Sequence, residues 1–122
     1  MSISIYYNAT RDVPLDEIER KAVDILLIRY SVDDEIEKYL RSGAGLNWES
    51  FRFTPSDEPE VILTGATKLP SNADEASRIG IQHWCKLLSE VRRVLPGATW
   101  SVRVENHKIQ WDLEAMAYDP SK

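Results

Sequence analysis

The sequence predicts an α+β fold: a mostly antiparallel sheet of about five strands, in the order β-α-β-β-α-β-β, with helices packed on one face. Three observations predict it. Segments near both ends alternate apolar and polar residues with a period of two, the mark of strands buried on one side only. Two longer stretches between them repeat apolar residues every three or four positions, the mark of amphipathic helices. The 122 residues, 43% hydrophobic, suffice for one domain over 1–122 with a core that needs no disulfide or metal.

The first strand is expected at Ser2 to Tyr7, where Ile3, Ile5 and Tyr7 alternate with Ser2, Ser4 and Tyr6. Pro14 then occupies the first turn of a helix. Leu15, Ile18, Ala22, Ile25 and Leu26 form its expected apolar stripe, and Asp16, Glu17 and Glu19 sit at its positive end. Ser31 can cap a second helical piece with Asp34 three residues on, and Val32, Ile36, Tyr39 and Leu40 form its stripe. Gly43-Ala44-Gly45 ends it.

A second strand-like stretch, Trp48 to Phe53, puts Phe51 and Phe53 on one face. Pro55 to Pro59 reads as a turn, and Val61 to Ala66 as the returning strand, with Gly65 marking a bulge or a close backbone approach. After a break at Leu69-Pro70-Ser71, Asn72 and Glu75 resemble an N-cap pair. The clearest helix follows, with apolar residues from Ala76 to Leu95, stopped by Pro96-Gly97. A hairpin is expected last, with Trp100, Val102 and Val104 on one strand, a turn at Asn106-His107, and Ile109 and Trp111 on the return. The tail from Ala115 to Lys122 reads as loosely held.

Composition narrows the function classes. The net charge of −5 argues against affinity gained by neutralising phosphates. No apolar run approaches a membrane span, and MSISIYYNAT lacks the pattern of a secretory signal. One cysteine excludes an intrachain disulfide. A cytosolic location without membrane or nucleic-acid partners is the expectation. Tyr6 is the one aromatic residue expected on the open sheet face, which speaks against stacking of RNA bases there.

The residues with reactive side chains do not assemble into a known constellation. His83 and Cys85 lie two apart in a helix and point about 200° away from each other, so they cannot share a metal. Cys85 has no adjacent base and reads as a buried thiol. Gly43-Ala44-Gly45 is not followed by the Lys-Ser/Thr of a phosphate-binding loop. No catalytic residue, metal or cofactor is therefore expected. The alternatives are a small enzyme with a site assembled around His83, and an adaptor or assembly protein that uses the open sheet face.

Charge is spread unevenly. Asp12 to Glu37 holds nine acidic residues against Arg20, Lys21 and Arg29, a local charge of −6. Asp57, Glu58 and Glu60 form a second acidic patch near the central turn. Acids at helix N-termini are locally favourable, so the pattern has an ordinary structural reading. It also suits an inhibitor that covers the basic groove of a nucleic-acid-directed protein.

Five segments carry a family resemblance: MSISIYYNATRDVPL, NWESF, GATKLP, GIQHWCKLLSEVRR and AYDP. Together they resemble small bacterial immunity proteins, encoded beside polymorphic or contact-dependent growth-inhibition toxins. The resemblance spans nearly the whole chain and includes no catalytic motif. It implies a cytosolic protein that binds and neutralises a cognate toxin domain, with a nuclease suggested by the acidic charge. The matching segments are rich in expected packing and turn residues. The interface is therefore expected among the charged residues outside them: Asp33, Asp34, Glu35, Glu37, Asp57, Glu58 and Glu60.

Overall fold

The computed structural model describes residues 3–52, 58 and 60–121. Strand β1 (Ser4–Thr10) is followed by helices α1 (Glu17–Arg29) and α2 (Asp33–Ser42), strand β2 (Val61–Lys68) and helix α3 (Ala76–Val94). Four short strands close the chain: β3 (Thr99–Val104), β4 (His107–Lys108), β5 (Gln110–Asp112) and β6 (Ala117–Asp119). One antiparallel sheet has the order β2-β1-β3-β4, and β5 pairs with β6 in a smaller one. The α+β class and the antiparallel pairing are as the sequence predicts.

The alternation of β1 explains its central place. Ile5, Tyr7 and Ala9 are buried, and the residues between them are half-buried. Ile5 faces Thr67 on one side and Val104 on the other, Tyr7 faces Gly65 and Val102, and Ala9 faces Leu63 and Trp100. This inner face shares one hydrophobic cluster with Val23 and Leu26 of α1 and with Trp84, Leu87, Leu88 and Val91 of α3. The outer face carries Tyr6 with the Arg103 guanidinium 4.2 Å above its ring.

Helix α1 begins with a complete capping box. The Glu19 N–H donates to Asp16 Oδ1 at 2.7 Å, and the Asp16 N–H to Glu19 Oε1 at 3.1 Å. Glu19 also receives both terminal nitrogens of Arg11, at 2.7 and 2.9 Å, and the same guanidinium donates to the carbonyls of Val13, Pro14 and Pro96. Arg11 thus ties the end of β1 to the start of α1 and to the turn after α3. Its bonds, with the Asp16 amide, hold the Glu19 carboxyl down to about 2.

Several expected elements differ. Residues 48–52 form no strand, and Phe53 and the turn from Pro55 to Pro59 fall outside the described residues except for Glu58. Trp48 and Phe51 both reach Trp84, with ring centroids 5.9 and 5.3 Å away. Positions three apart face the same way in a helical or irregular segment, not in a strand. The first strand runs to Thr10 rather than ending at Tyr7, and the second extends past Ala66 to Lys68. Asn72 does not cap α3. The cap position is Glu75, with φ of 67° and no side-chain cap bond, while Asn72 braces the loop before it through the Asn47 N–H and the Gly45 carbonyl. The hairpin tip is Glu105-Asn106, one residue early, which places His107 in β4. After Ile109 the chain leaves the main sheet, so Trp111 pairs with Tyr118 instead. The tail is held: Tyr118 is buried and its N–H donates to Ser89 Oγ of α3 at 2.9 Å.

Gly65 marks a close approach, one of the two roles expected for it. A Cβ there would lie 2.6 Å from the Arg52 carbonyl oxygen and 2.8 Å from the Tyr7 ring. Gly65→Ala must displace backbone, so it is expected to lower unfolding free energy by about 1–3 kcal/mol in urea titrations. The Arg11–Glu19 link sets an acid limit. A carboxyl at about 2 in the folded chain and near 4.3 when unfolded contributes stability above pH ~4.3, which is lost as pH falls toward 2. Urea midpoints across this window should fall less steeply in Arg11→Met than in the native protein. Equal slopes would remove Arg11 from that role.

Candidate partner-binding surface

Helix α2 lies entirely on the surface. None of its residues is buried, and Ile36 and Tyr39 are half-covered. Its N-terminus is anchored instead by the residue before it: Val32 is buried, and Ser31 Oγ accepts the Asp33 N–H at 3.2 Å. The cap position is Val32, without a side-chain cap bond, so Ser31 does not cap the helix as expected and binds only its first amide. Gly43, in the left-handed region at φ 72°, closes the helix with its N–H on the Tyr39 carbonyl.

This arrangement displays Asp33, Asp34 and Glu35 in one exposed first turn, with Glu37 one residue further beyond Ile36. Asp33 Oδ1 accepts from Ser50 Oγ at 3.1 Å, and Glu37 sits 3.5 Å from Arg41 with both side chains largely in water. Such an exposed pair contributes little to stability. The central acids lie elsewhere. Glu60 is exposed beside Thr10, Arg11, Asp12, Gly97 and Thr99, and its carbonyl accepts the Arg11 N–H at 2.8 Å. Asp33 instead lines a cleft with Ile28, Ser50 and Phe51, which shares no residue with the first. The structure thus places Asp33, Asp34, Glu35 and Glu37 together and sets Glu60 apart. Glu58 is exposed two residues before Glu60, and Asp57 lies outside the described residues.

The acidic helices also carry apolar side chains that water reaches. Ile18 is 81% exposed, Ile28 77% and Leu40 80%, with Val13 and Ile25 exposed as well. The expected stripe put Ile18, Ile25 and Leu40 in the core. Val23 and Leu26 fill that role for α1, with Leu27 and Tyr30 half-covered behind them. The signal was present, because α1 has more apolar residues than one buried face can use. Exposed isoleucines on a helix that already has a buried face are candidates for a partner's surface.

His83 is committed to packing. Its ring meets Trp84, Trp48 and Tyr30 at 4.6 to 5.5 Å, and its Nε2–H donates to the Tyr30 carbonyl at 2.7 Å. A cleft of about 670 Å³ does open between α3 and the C-terminal strand, lined by Cys85, Lys86, Glu90 and Arg93 but not by His83. Two of its charged groups are engaged: Glu90 faces Arg29 at 3.4 Å, and Arg93 Nε donates to the Met116 carbonyl at 2.8 Å. Burial, with Asp119 nearby, pushes the Cys85 thiol up to about 12. Among the described residues no group of three His, Cys, Asp or Glu side chains could hold a metal ion, and no helix is long and apolar enough to cross a membrane.

Comparison with protein-family models, with curated proteins and with solved structures gives no match.

The thiol's environment has a direct consequence. Cys85 stays protonated at neutral pH, and the thiolate is the reactive form. Iodoacetamide at pH 8 should label the folded chain at least about a hundredfold more slowly than the urea-unfolded chain. Equal rates would restore Cys85 as a candidate nucleophile.

Proposed function

We propose that this chain is an immunity protein, one that binds a cognate bacterial toxin domain in the cytosol and neutralises it by covering its surface. The observation that carries this reading is the outward face of α1 and α2. The region from Asp12 to Glu37, with a local charge of −6, also exposes Ile18, Ile25 and Ile28, and Leu40 is exposed three residues beyond it. A protein interface combines a few apolar anchors with a polar rim. Acidic charge adds steering toward a basic surface and speeds encounter.

The charge also suggests the class of toxin. A nuclease must grip phosphates, so its working groove is basic. An acidic helical face can lie across such a groove and exclude the substrate without any chemistry of its own. The family resemblance of the five sequence segments supports the same reading.

Co-expression with the toxin encoded by the neighbouring gene is the test. Cells that carry both proteins are expected to grow, and cells that carry the toxin alone to die. Equal death in both would refute the proposal. Reversal of Asp33, Asp34, Glu35 and Glu37 to lysine is expected to slow association about tenfold or more at low salt and to flatten its salt dependence. An unchanged on-rate in stopped-flow measurements would move the interface away from α2.

A further inference from the structure

A cleft of about 250 Å³ lies where the end of α1, the start of α2 and residues 50–51 meet. Its walls are apolar, formed by Leu27, Ile28, Val32 and Phe51. Ser31, Asp33 and Ser50 give it one polar side. We propose that this cleft is a socket for a single lysine or arginine residue of the protein partner. The inference rests on the partner-binding reading and names the chemistry of its central contact.

Three observations point to that occupant. The volume falls below the range of typical small-molecule sites and suits one residue. The apolar walls fit the aliphatic stem of a long basic side chain, which prefers to cover apolar surface while its charge stays near water. The charge at the rim is negative and unspent. Asp33 is the acid that lines the cleft; it takes part in none of the ion pairs among the described residues, and its carboxylate accepts from Ser50 Oγ. A basic residue from a partner offers the missing counter-charge for Asp33 while its stem covers the apolar walls.

The same charges exclude a second copy of the chain as occupant. Two α1–α2 faces brought together would oppose acid to acid. A flat or acidic partner surface is excluded by the same complementarity, whereas a protruding basic residue fits.

The test uses the full chain, labelled with ¹⁵N and with methyl ¹³C, and three blocked tripeptides, Ala-Lys-Ala, Ala-norleucine-Ala and Ala-Glu-Ala. The lysine peptide is expected to shift the Trp84 indole N–H and the Ile28 methyl signals saturably. Norleucine, with nearly the same stem and no charge, should bind at least about threefold more weakly, and the glutamate peptide should leave both signals in place. Asp33→Asn should weaken the lysine peptide by a similar factor. Ile28→Ala is a second variant at an exposed position, and it should also weaken binding. Equal binding of lysine and norleucine, or shifts confined to scattered acidic residues, would overturn the socket.

The result separates from that of the co-expression test. A chain that protects cells yet fails the peptide titration keeps its function and loses the socket. A chain that binds the lysine peptide at this cleft but gives no protection keeps the socket and loses the immunity reading.

Discussion

The Tyr7 hydroxyl lies beneath the sheet, in a place where an unpaired polar group would be costly. It donates to the Arg52 carbonyl, and it lies 2.9 Å from Thr67 Oγ1, which in turn accepts the Arg52 N–H. Both backbone groups of Arg52 are thereby satisfied by side chains of the sheet. Burial pushes the Tyr7 hydroxyl up to about 12, so it remains a donor at any physiological pH. Gly65 is required by the same arrangement, because a side chain there would occupy the space in which Tyr7 and Arg52 meet. These bonds fix a segment that has no strand or helix of its own.

The consequences run outward from that loop. Phe51 stacks on the Tyr7 ring at 4.4 Å and reaches Trp84 at 5.3 Å, and Trp48 reaches Trp84 from another side. Ser50, held between them in sequence, meets Asp33 of α2. A helix with no buried residue is thus positioned by contacts at its start: Val32 below it and Ser50 beside it. The acids of α2 favour their own helix through its dipole and at the same time form the outward charge. One feature of sequence serves local stability and supplies the surface on which the proposed recognition depends.

Much of this organisation is legible in the residues, and the failures have identifiable causes. The period-two pattern of Ile5, Tyr7, Val102 and Val104 reports burial on one face, so the central strands could be read directly. The long helix could be read from its spacing, with Trp84, Leu87, Leu88 and Val91 all buried. Residues 48–52 were misread because aromatic content suggests strand, whereas their hydrogen bonds go to distant side chains that no local pattern reveals. The tail was misread for a related reason. Its anchors on α3 are distant in sequence: Ser89, for one, lies 29 positions from Tyr118. At the candidate site, acidity could be read and exposure could not. Ile18 and Ile25 fit a stripe as well as Val23 and Leu26 do, and only packing decides which face turns inward. The cleft beside Asp33 joins three separate segments, so no spacing in the sequence announces it.

The central claim is that the partner lies on the α1–α2 face and reaches the loop at residues 50–51. Hydrogen–deuterium exchange of the chain, free and in complex with the proposed toxin partner, measures that footprint most directly. Slowed exchange is expected at the end of α1, through α2 and at residues 48–52, with the outer face of the main sheet and the C-terminal strands unchanged. Protection centred on Tyr6, Ser101 and Arg103 of the open sheet face, with α2 unaffected, would contradict the account.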